Sequence, residues 1–320
     1  MKKFSVALMT IGCLALATNL LTVSGMQRNR HNVSIRSNGG DDNVFECSGR
    51  QQIFADDLDG YAKTEVNSTL PNNPLRVKAA HNGGIHVMGY DGTQVQVKVC
   101  IAAAARTDAE AKILAKSINV NTGNGEVLVE GPEQIGRNWN DDSDSPARVW
   151  NATILIQAPR NADLSLSSYN GGVSFYQFNG TGYAKTQNGG ISLVQSSGKI
   201  TAEAQNGGIS IKDCSGDVQA NVQNGGINVN VPRHWEGAGL EAHTHNGGMN
   251  VIVPKDVESG VEVKTGQWSH IRCDSICDGQ HKDWDDHSKI VRFGNGTTVV
   301  RLSTVNGGVQ ISEHNWKELE

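Results

Sequence analysis

The residues best equipped for chemistry gather late in the chain, where His270, Cys273, Cys277, His281 and His287 fall within one short stretch. Thiolate and imidazole groups at such intervals suit Zn²⁺, which takes nitrogen and sulfur ligands in a tetrahedral set. The spacing of Cys273, Cys277, His281 and His287 is looser than a doubled Cys-x-x-Cys pattern. Two nearby cysteines also join to each other when their geometry allows. A Cys273–Cys277 disulfide, free or otherwise paired thiols, and a metal site completed by His281 and His287 are all open readings. No cofactor is assigned.

The other candidates are more dispersed. His243 and His245 precede Asn246, and His81 precedes Asn82. Counted back from the turn, His243 and His245 match Glu203 and Gln205 of a neighbouring repeat, which places them on the outward parity. His86 lies outward beside Ile85 and Val87. Asp141, Asp142 and Asp144 belong to an Asp- and Asn-rich stretch, Trp139 to Pro146, that reads as a solvated surface loop rather than a cation site.

An enzyme acting on polysaccharide needs acid and base carboxylates beside a groove. The outward rows instead carry Ser192, Ser210, Asn228, Thr201, Gln219, Glu203 and Asn221, a surface suited to hydrogen bonding rather than proton transfer. No Ser-His-Asp arrangement is legible. Asn-Gly-Gly here precedes strands and never opens a helix, which excludes a phosphate-cradling loop. The repeats also lack the Gly-Gly-x-Gly-x-Asp pattern of calcium-filled β-rolls. A formal charge of −5 without a basic stripe argues against a nucleic-acid partner.

What must position all these residues is a repeat. Asn-Gly-Gly begins at Asn38, Asn82, Asn170, Asn188, Asn206, Asn224, Asn246 and Asn306. The copies from Asn170 to Asn224 recur about every 18 residues, with a longer step of about 22 to Asn246. Half-period marks stand at Asn179-Gly180, Ser197-Gly198 and Ser215-Gly216. After each turn comes a short alternating segment, such as Val173-Ser174-Phe175, Ile191-Ser192-Leu193, Ile209-Ser210-Ile211, Ile227-Asn228-Val229 and Met249-Asn250-Val251. Alternation of this kind marks a strand with one buried face.

The opposite half alternates as well, with Ile200, Ala202 and Ala204 matching Val218, Ala220 and Val222. Large residues on one wall against mostly small ones on the other predict a thin, flattened core. One such unit cannot bury its own apolar face or satisfy its backbone, so neighbours must stack in register. The expected fold is therefore all-β, a parallel β-helix or β-solenoid. Its structural turns are Asn82-Gly83, Asn170-Gly171, Asn188-Gly189, Asn206-Gly207, Asn224-Gly225, Asn246-Gly247 and Asn306-Gly307. Glycine is expected there because it reaches backbone angles that other residues reach only with strain, and Asn because it tolerates them best. A column of stacked Asn side chains would also hydrogen-bond from coil to coil.

The remaining chain is read against that period. Lys2 and Lys3 followed by an apolar run to about Val23 suggest a secretion signal over residues 1–25. Residues 26–74 form an N-terminal cap or irregular strand segment, and residues 75–312 the solenoid. Thr107 and Glu110 predict a capped helix over about 108–116, with Ala109, Ile113 and Leu114 on its packed side. Residues 267–289 interrupt the repeat and are expected to loop out from one face before Ile290 restores it. Residues 313–320 form a tail outside the periodic core. Beyond the leader, Cys47, Cys100, Cys214, Cys273 and Cys277 are an odd number, so at least one is unpaired in a monomer. So sparse a set leaves burial and backbone hydrogen bonds to hold the fold.

His81-Asn82-Gly83-Gly84-Ile85-His86-Val87, the strands leading through Cys100, the short Ala-rich helix and the later Asn-Gly-Gly-Ile-Ser units resemble the DUF4097 family of adhesin-like bacterial β-solenoid proteins. The similarity covers residues 75–310 and lies more in repeat layout than in single side chains. It implies an exported or envelope-facing parallel β-helix with no catalytic residues to carry over. The expected function is that of a non-catalytic envelope structural or adhesin-like binding protein in the periplasm or at the cell surface. Its partner would be a glycan or another envelope protein, with weak self-association through the solenoid ends. A polysaccharide-acting β-helix enzyme is the alternative.

Overall fold

The computed structural model describes residues 34–36, 45–47, 52–54, 58–133, 148–278, 280–284 and 287–314. The leader 1–25, the triplet Asn38-Gly39-Gly40, the acids Asp141, Asp142 and Asp144, and residues 315–320 lie outside them. The described chain is nearly all β, with one α-helix, a twelve-stranded sheet and an eleven-stranded sheet. Both long sheets are mixed, and the strands at their centres are parallel.

Each central Asn-Gly-Gly carries the chain from one sheet to the other. Thr181–Thr186, Lys199–Asn206 and Asp217–Asn224 lie side by side in the twelve-stranded sheet. Ile191–Val194, Ile209–Lys212 and Ile227–Asn230 do so in the eleven-stranded one. Register follows side-chain type: Ala184 pairs with Ala202, Ala202 with Ala220, and Ala220 with Ala242. In the other sheet Ile191 pairs with Ile209 and Leu193 with Ile211. Burial explains why register holds, because a one-residue slip would turn every core residue toward water. The buried rows of both sheets merge into a single hydrophobic cluster. Size is matched locally as well. The rings of Phe175 and Phe178 lie 5.1 Å apart, and Gly182, in register with Ile200, leaves room for them. A Cβ on Gly182 would approach the Phe175 ring to 3.0 Å.

Away from the centre, the strands do not stack in chain order. Ile85–Tyr90 lies directly against Val173–Tyr176, with His86 and Ser174, 88 residues apart, as register partners. On its other edge it pairs with Val149–Pro159, which is followed by Gln94–Ala105 and then Gly60–Pro71, both antiparallel. The alternating segment Val95 to Val99 is thus part of an antiparallel layer and not a further parallel coil.

The C-terminal region departs from expectation in the same way. Thr298–Asn306 and Val309–His314 stack on Gly239–Asn246 and Met249–Pro254. Gly260–Gly266 and Ile271–Cys273 then lie outside that final pair of strands. Residues 267–289 therefore do not simply loop out from one face, since Ile271–Cys273 joins the sheet and His281–Trp284 forms an edge hairpin. Ile290 belongs to Ser288–Phe293, which runs antiparallel to Gly260–Gly266, so parallel stacking resumes only at Thr298. The physical reason is that the outer strand Gly260–Gly266 needs a partner on its free edge, and an antiparallel return supplies one without another crossover. Glu313 and His314 continue the last strand and pair with Val253 and Pro254, beyond the boundary read at residue 312.

The helix spans Asp108–Lys116 and carries the full reciprocal cap. Glu110 N donates to Thr107 Oγ1 at 3.3 Å, and Thr107 N donates to Glu110 Oε2 at 3.1 Å. Its packed face matches the expected one at Leu114 and differs elsewhere: Ala111 and Ala115 are buried with it, whereas Ala109 is exposed and Ile113 is 70% exposed. The i, i+3, i+4 set of Leu114 flanked by two alanines faces inward because the helix packs on Gly60–Pro71 and Gln94–Ala105. Those strands bury the small side chains Ala62, Ala103 and Ala105 and allow close approach. The opposite face of Gln94–Ala105 is tied down by a Cys47–Cys100 disulfide. Beside it, Lys98 Nζ sits 5.0 Å from the centre of the Phe45 ring.

Candidate functional site

The most regular surface feature is a ladder of amides along the Asn-Gly-Gly turns. Asn170 Nδ2 donates to Asn82 Oδ1 at 2.8 Å, and Asn188 to Asn170 at 2.9 Å. Asn206, Asn224 and Asn246 each repeat the bond to the preceding rung at 3.0 Å, and Asn306 donates to Asn246 at 2.9 Å. Central rungs are 18 residues apart in sequence, while the last two links span 22 and 60. Every interior rung therefore uses its side chain both as donor and as acceptor. Asn206→Ala should remove two such bonds and lower stability by about 1 kcal/mol, given a net worth of order 0.5–1.5 kcal/mol for each bond at best and partial exposure here. A urea midpoint identical to that of the parent protein would show that the ladder contributes nothing.

The glycines serve this ladder for a reason other than the expected one. Among the described triplets only Gly225, at φ 156°, has a positive backbone angle, and none of the Asn residues of the ladder does. What excludes a side chain at the first glycine is contact between rungs: a Cβ on Gly189 would overlap the carbonyl of Gly171, and one on Gly207 that of Gly189. Left-handed backbone occurs in the opposite turns, at Gln177 (φ 51°), Gln195 (φ 49°) and Asp213 (φ 53°).

Buried hydroxyls brace the same turns from within. Thr186 Oγ1 donates to Gly189 O at 2.6 Å, Thr244 Oγ1 to Gly225 O at 2.7 Å and Thr304 Oγ1 to Gly247 O at 2.8 Å. Ser168 Oγ donates to Gly83 O at 2.7 Å and accepts from Gly171 N at 3.0 Å. Sequence reasoning passed over these residues. Their signal was a Ser or Thr two places before Asn170, Asn188, Asn246 and Asn306, at a position of core parity.

Two shallow depressions flank the ladder. The first, about 480 Å³, lies on the twelve-stranded sheet among Lys185, Glu203, Gln205, Asn221, Gln223 and His245. Glu203 is its one carboxylate among the described residues; it accepts from Tyr183 Oη at 3.0 Å and lies 3.8 Å from Lys185 Nζ. The second, about 580 Å³, lies on the eleven-stranded sheet and is lined by Asn228, Asn250, His270, Arg272 and Gln310, with no carboxylate among the lining residues.

The histidines singled out from the sequence are dispersed. His81 stacks on Tyr169 with ring centres 4.4 Å apart. His86 Nδ1 lies 2.8 Å from Ser174 Oγ, and His243 Nδ1 lies 2.9 Å from Ser303 Oγ. His245 borders the first depression and His270 the second.

Cys273 and Cys277 are joined in a disulfide, so neither sulfur is a thiolate able to bind a metal. His281 lies in the edge strand and His287 just beyond it. Among the described residues no three His, Cys, Asp or Glu side chains are grouped to hold a metal ion. The free Cys214 is buried, and burial pushes its thiol up to about 11, which keeps it protonated and weakly nucleophilic. No helix of the described residues is long and apolar enough to cross a membrane.

No family model matches the chain, and no curated protein matches it. The DUF4097 resemblance therefore rests on its motifs alone. Solved structures do align with it over much of its length. A "putative lipid binding protein" from Parabacteroides distasonis has 11% identity, covers 80% of this chain and 98% of its own, and gives a TM-score of 0.35. A "putative adhesin" from Parabacteroides merdae aligns at 8% identity over 80% of this chain and 97% of its own, with a TM-score of 0.33. A "putative cell adhesion protein" from Clostridium sporogenes aligns at 12% identity over 79% of this chain and 100% of its own, with a TM-score of 0.29.

Proposed function

We propose that the chain is an exported β-solenoid of about 18 residues per coil, a non-catalytic binding protein of the cell envelope that presents its in-register polar rows to a glycan or another envelope protein. The observation that carries this reading is the Asn ladder, continuous from Asn82 to Asn306. Regularity extends from the core to the outward face, where the same register aligns Ser192, Ser210, Asn228 and Asn250. Such a row gives a repeating ligand several weak contacts at once, and many weak contacts add up to useful avidity. Cleavage of a glycan would call for a second carboxylate across the groove from Glu203, and none lines that depression among the described residues.

One end of the stack finishes in antiparallel strands, Gly60–Pro71 and Asn119–Gly123; at the other the twelve-stranded sheet ends in the antiparallel Ser288–Phe293 and His281–Trp284, and the eleven-stranded sheet in the three-residue parallel strand Ile271–Cys273. Such endings interrupt or shorten the parallel template and favour weak rather than strong end-to-end association. The test is cell fractionation together with a panel of immobilised polysaccharides and an assay for new reducing ends. Envelope location and retention without cleavage are the expected results. Steady release of reducing ends, lost on Glu203→Gln, would overturn the non-catalytic reading.

A further inference from the structure

Along the outward face of the eleven-stranded sheet, one row changes character from rung to rung. His86, Ser174, Ser192, Ser210, Asn228, Asn250, Gln310 and Arg272 are successive register partners. From Ser174 onward the side chains lengthen and become more exposed. Ser174 is buried, Ser192 and Ser210 are half-buried, and Asn228, Asn250, Gln310 and Arg272 are exposed. The last four line the second depression, which His270 also borders.

Arg272 is distinguished by its place: it is the arginine that lines one of the two depressions. Arg160, Arg233 and Arg292 each pair with a carboxylate, at 2.8, 2.8 and 2.9 Å. Arg76, Arg106, Arg148, Arg272 and Arg301 form no such pair among the described residues; of these Arg272 lines a depression, and no carboxylate lines it. A guanidinium left in this way presents a planar fork matched to a carboxylate, which it can bind through two parallel hydrogen bonds. The three amides beside it offer donors and acceptors together, as sugar hydroxyls require.

We infer that this row is a binding site for a carboxylate-bearing polysaccharide, with Arg272 holding a uronate carboxylate and Gln310, Asn250 and Asn228 hydrogen-bonding the adjoining sugars. The inference deepens the proposed function and rests on the chain's being a non-catalytic binding surface. A peptide fits the site less well. Ile227–Asn230 and Met249–Pro254 have both edges paired, as does Val309–His314 as far as Ile311, so only the three-residue outer strand Ile271–Cys273 offers an edge to an added strand. The large apolar residues there, Met249 and Val309, are buried, which leaves no pockets for side-chain anchors.

The experiment measures binding of the purified protein to immobilised polygalacturonate, to the same polymer fully methyl-esterified, and to dextran. Melting curves verify that each variant is folded. Polygalacturonate should be retained, and both esterification and Arg272→Ala should weaken binding about tenfold, the usual scale for losing a charge-assisted bidentate contact. Arg272→Lys should fall between, because an ammonium keeps the charge without the fork. Asn250→Ala should weaken binding several-fold without changing the preference for the acid. Equal binding of the acid and the ester, or unchanged binding by folded Arg272→Ala, would overturn the inference and leave the non-catalytic surface standing. Retention of none of the three polymers would overturn the inference and remove the glycan arm of the proposed function with it.

Discussion

Gly207→Ala should cost about 3 kcal/mol, at the upper end of overpacking penalties, whereas its neighbour Gly208→Ala should cost less than about 1 kcal/mol. A Cβ on Gly207 would overlap the carbonyl oxygen of Gly189 and lie 2.6 Å from its carbon and 3.2 Å from Gly190 N. These are backbone atoms of a paired rung and cannot swing aside as a side chain would. Relief would require the rungs to separate, and that strains the Asn206–Asn188 amide bond beside them. A Cβ on Gly208 meets the Gly226 carbonyl oxygen at 3.0 Å, so a shift of a few tenths of an ångström relieves it. The smaller backbone entropy of alanine in the unfolded chain offsets part of that cost. Urea unfolding of the two variants checks the contrast. Equal midpoints would mean that glycine is needed for some property both positions share, and not for contact between rungs.

Removing the Cys47–Cys100 disulfide as a Cys47→Ala/Cys100→Ala pair should lower stability by about 4 kcal/mol, and removing Cys273–Cys277 in the same way by about 2 kcal/mol. The two bonds close sequence separations of 53 and 4, and the longer loop restricts the unfolded chain more. The first also holds residues 45–47 to a strand that the helix already covers from its other face. The measurement is urea denaturation of the two double variants and the parent, with thiol titration to confirm that Cys214 is the free cysteine among the described residues. A larger loss from the short loop than from the long one would contradict the loop-entropy account.

Much of the centre of this fold was legible because its information is local. Asn-Gly-Gly at a constant interval, with Ile-Ser-Leu or Ile-Ser-Ile after it, announces a strand, its buried face and its register in one short stretch. The cap made by Thr107 and Glu110 announced the helix for the same reason. Leu114 was read correctly on its packed face and Ala109 and Ile113 were not, because the alanine-lined strands opposite admit Ala111 and Ala115 beside Leu114. The role of the turn glycines was also misread. A close approach between rungs leaves no mark on the sequence of one rung that distinguishes it from a demand for unusual backbone angles.

By itself, then, the sequence determined the strands, their inward parity and the turn that aligns them, together with the Asn ladder that the turn implies. The tertiary structure decided which rung lies on which. It seated Ile85–Tyr90 against Val173–Tyr176, placed the final strands inside Gly260–Gly266, and brought Arg272 to the end of a row that begins at His86. A repeat makes its rungs nearly interchangeable in what they offer a neighbour. Closing a longer loop to reach a distant rung costs only slightly more than closing a short one. Small differences in packing between rungs therefore select the order, and those differences exist only once the rungs are stacked.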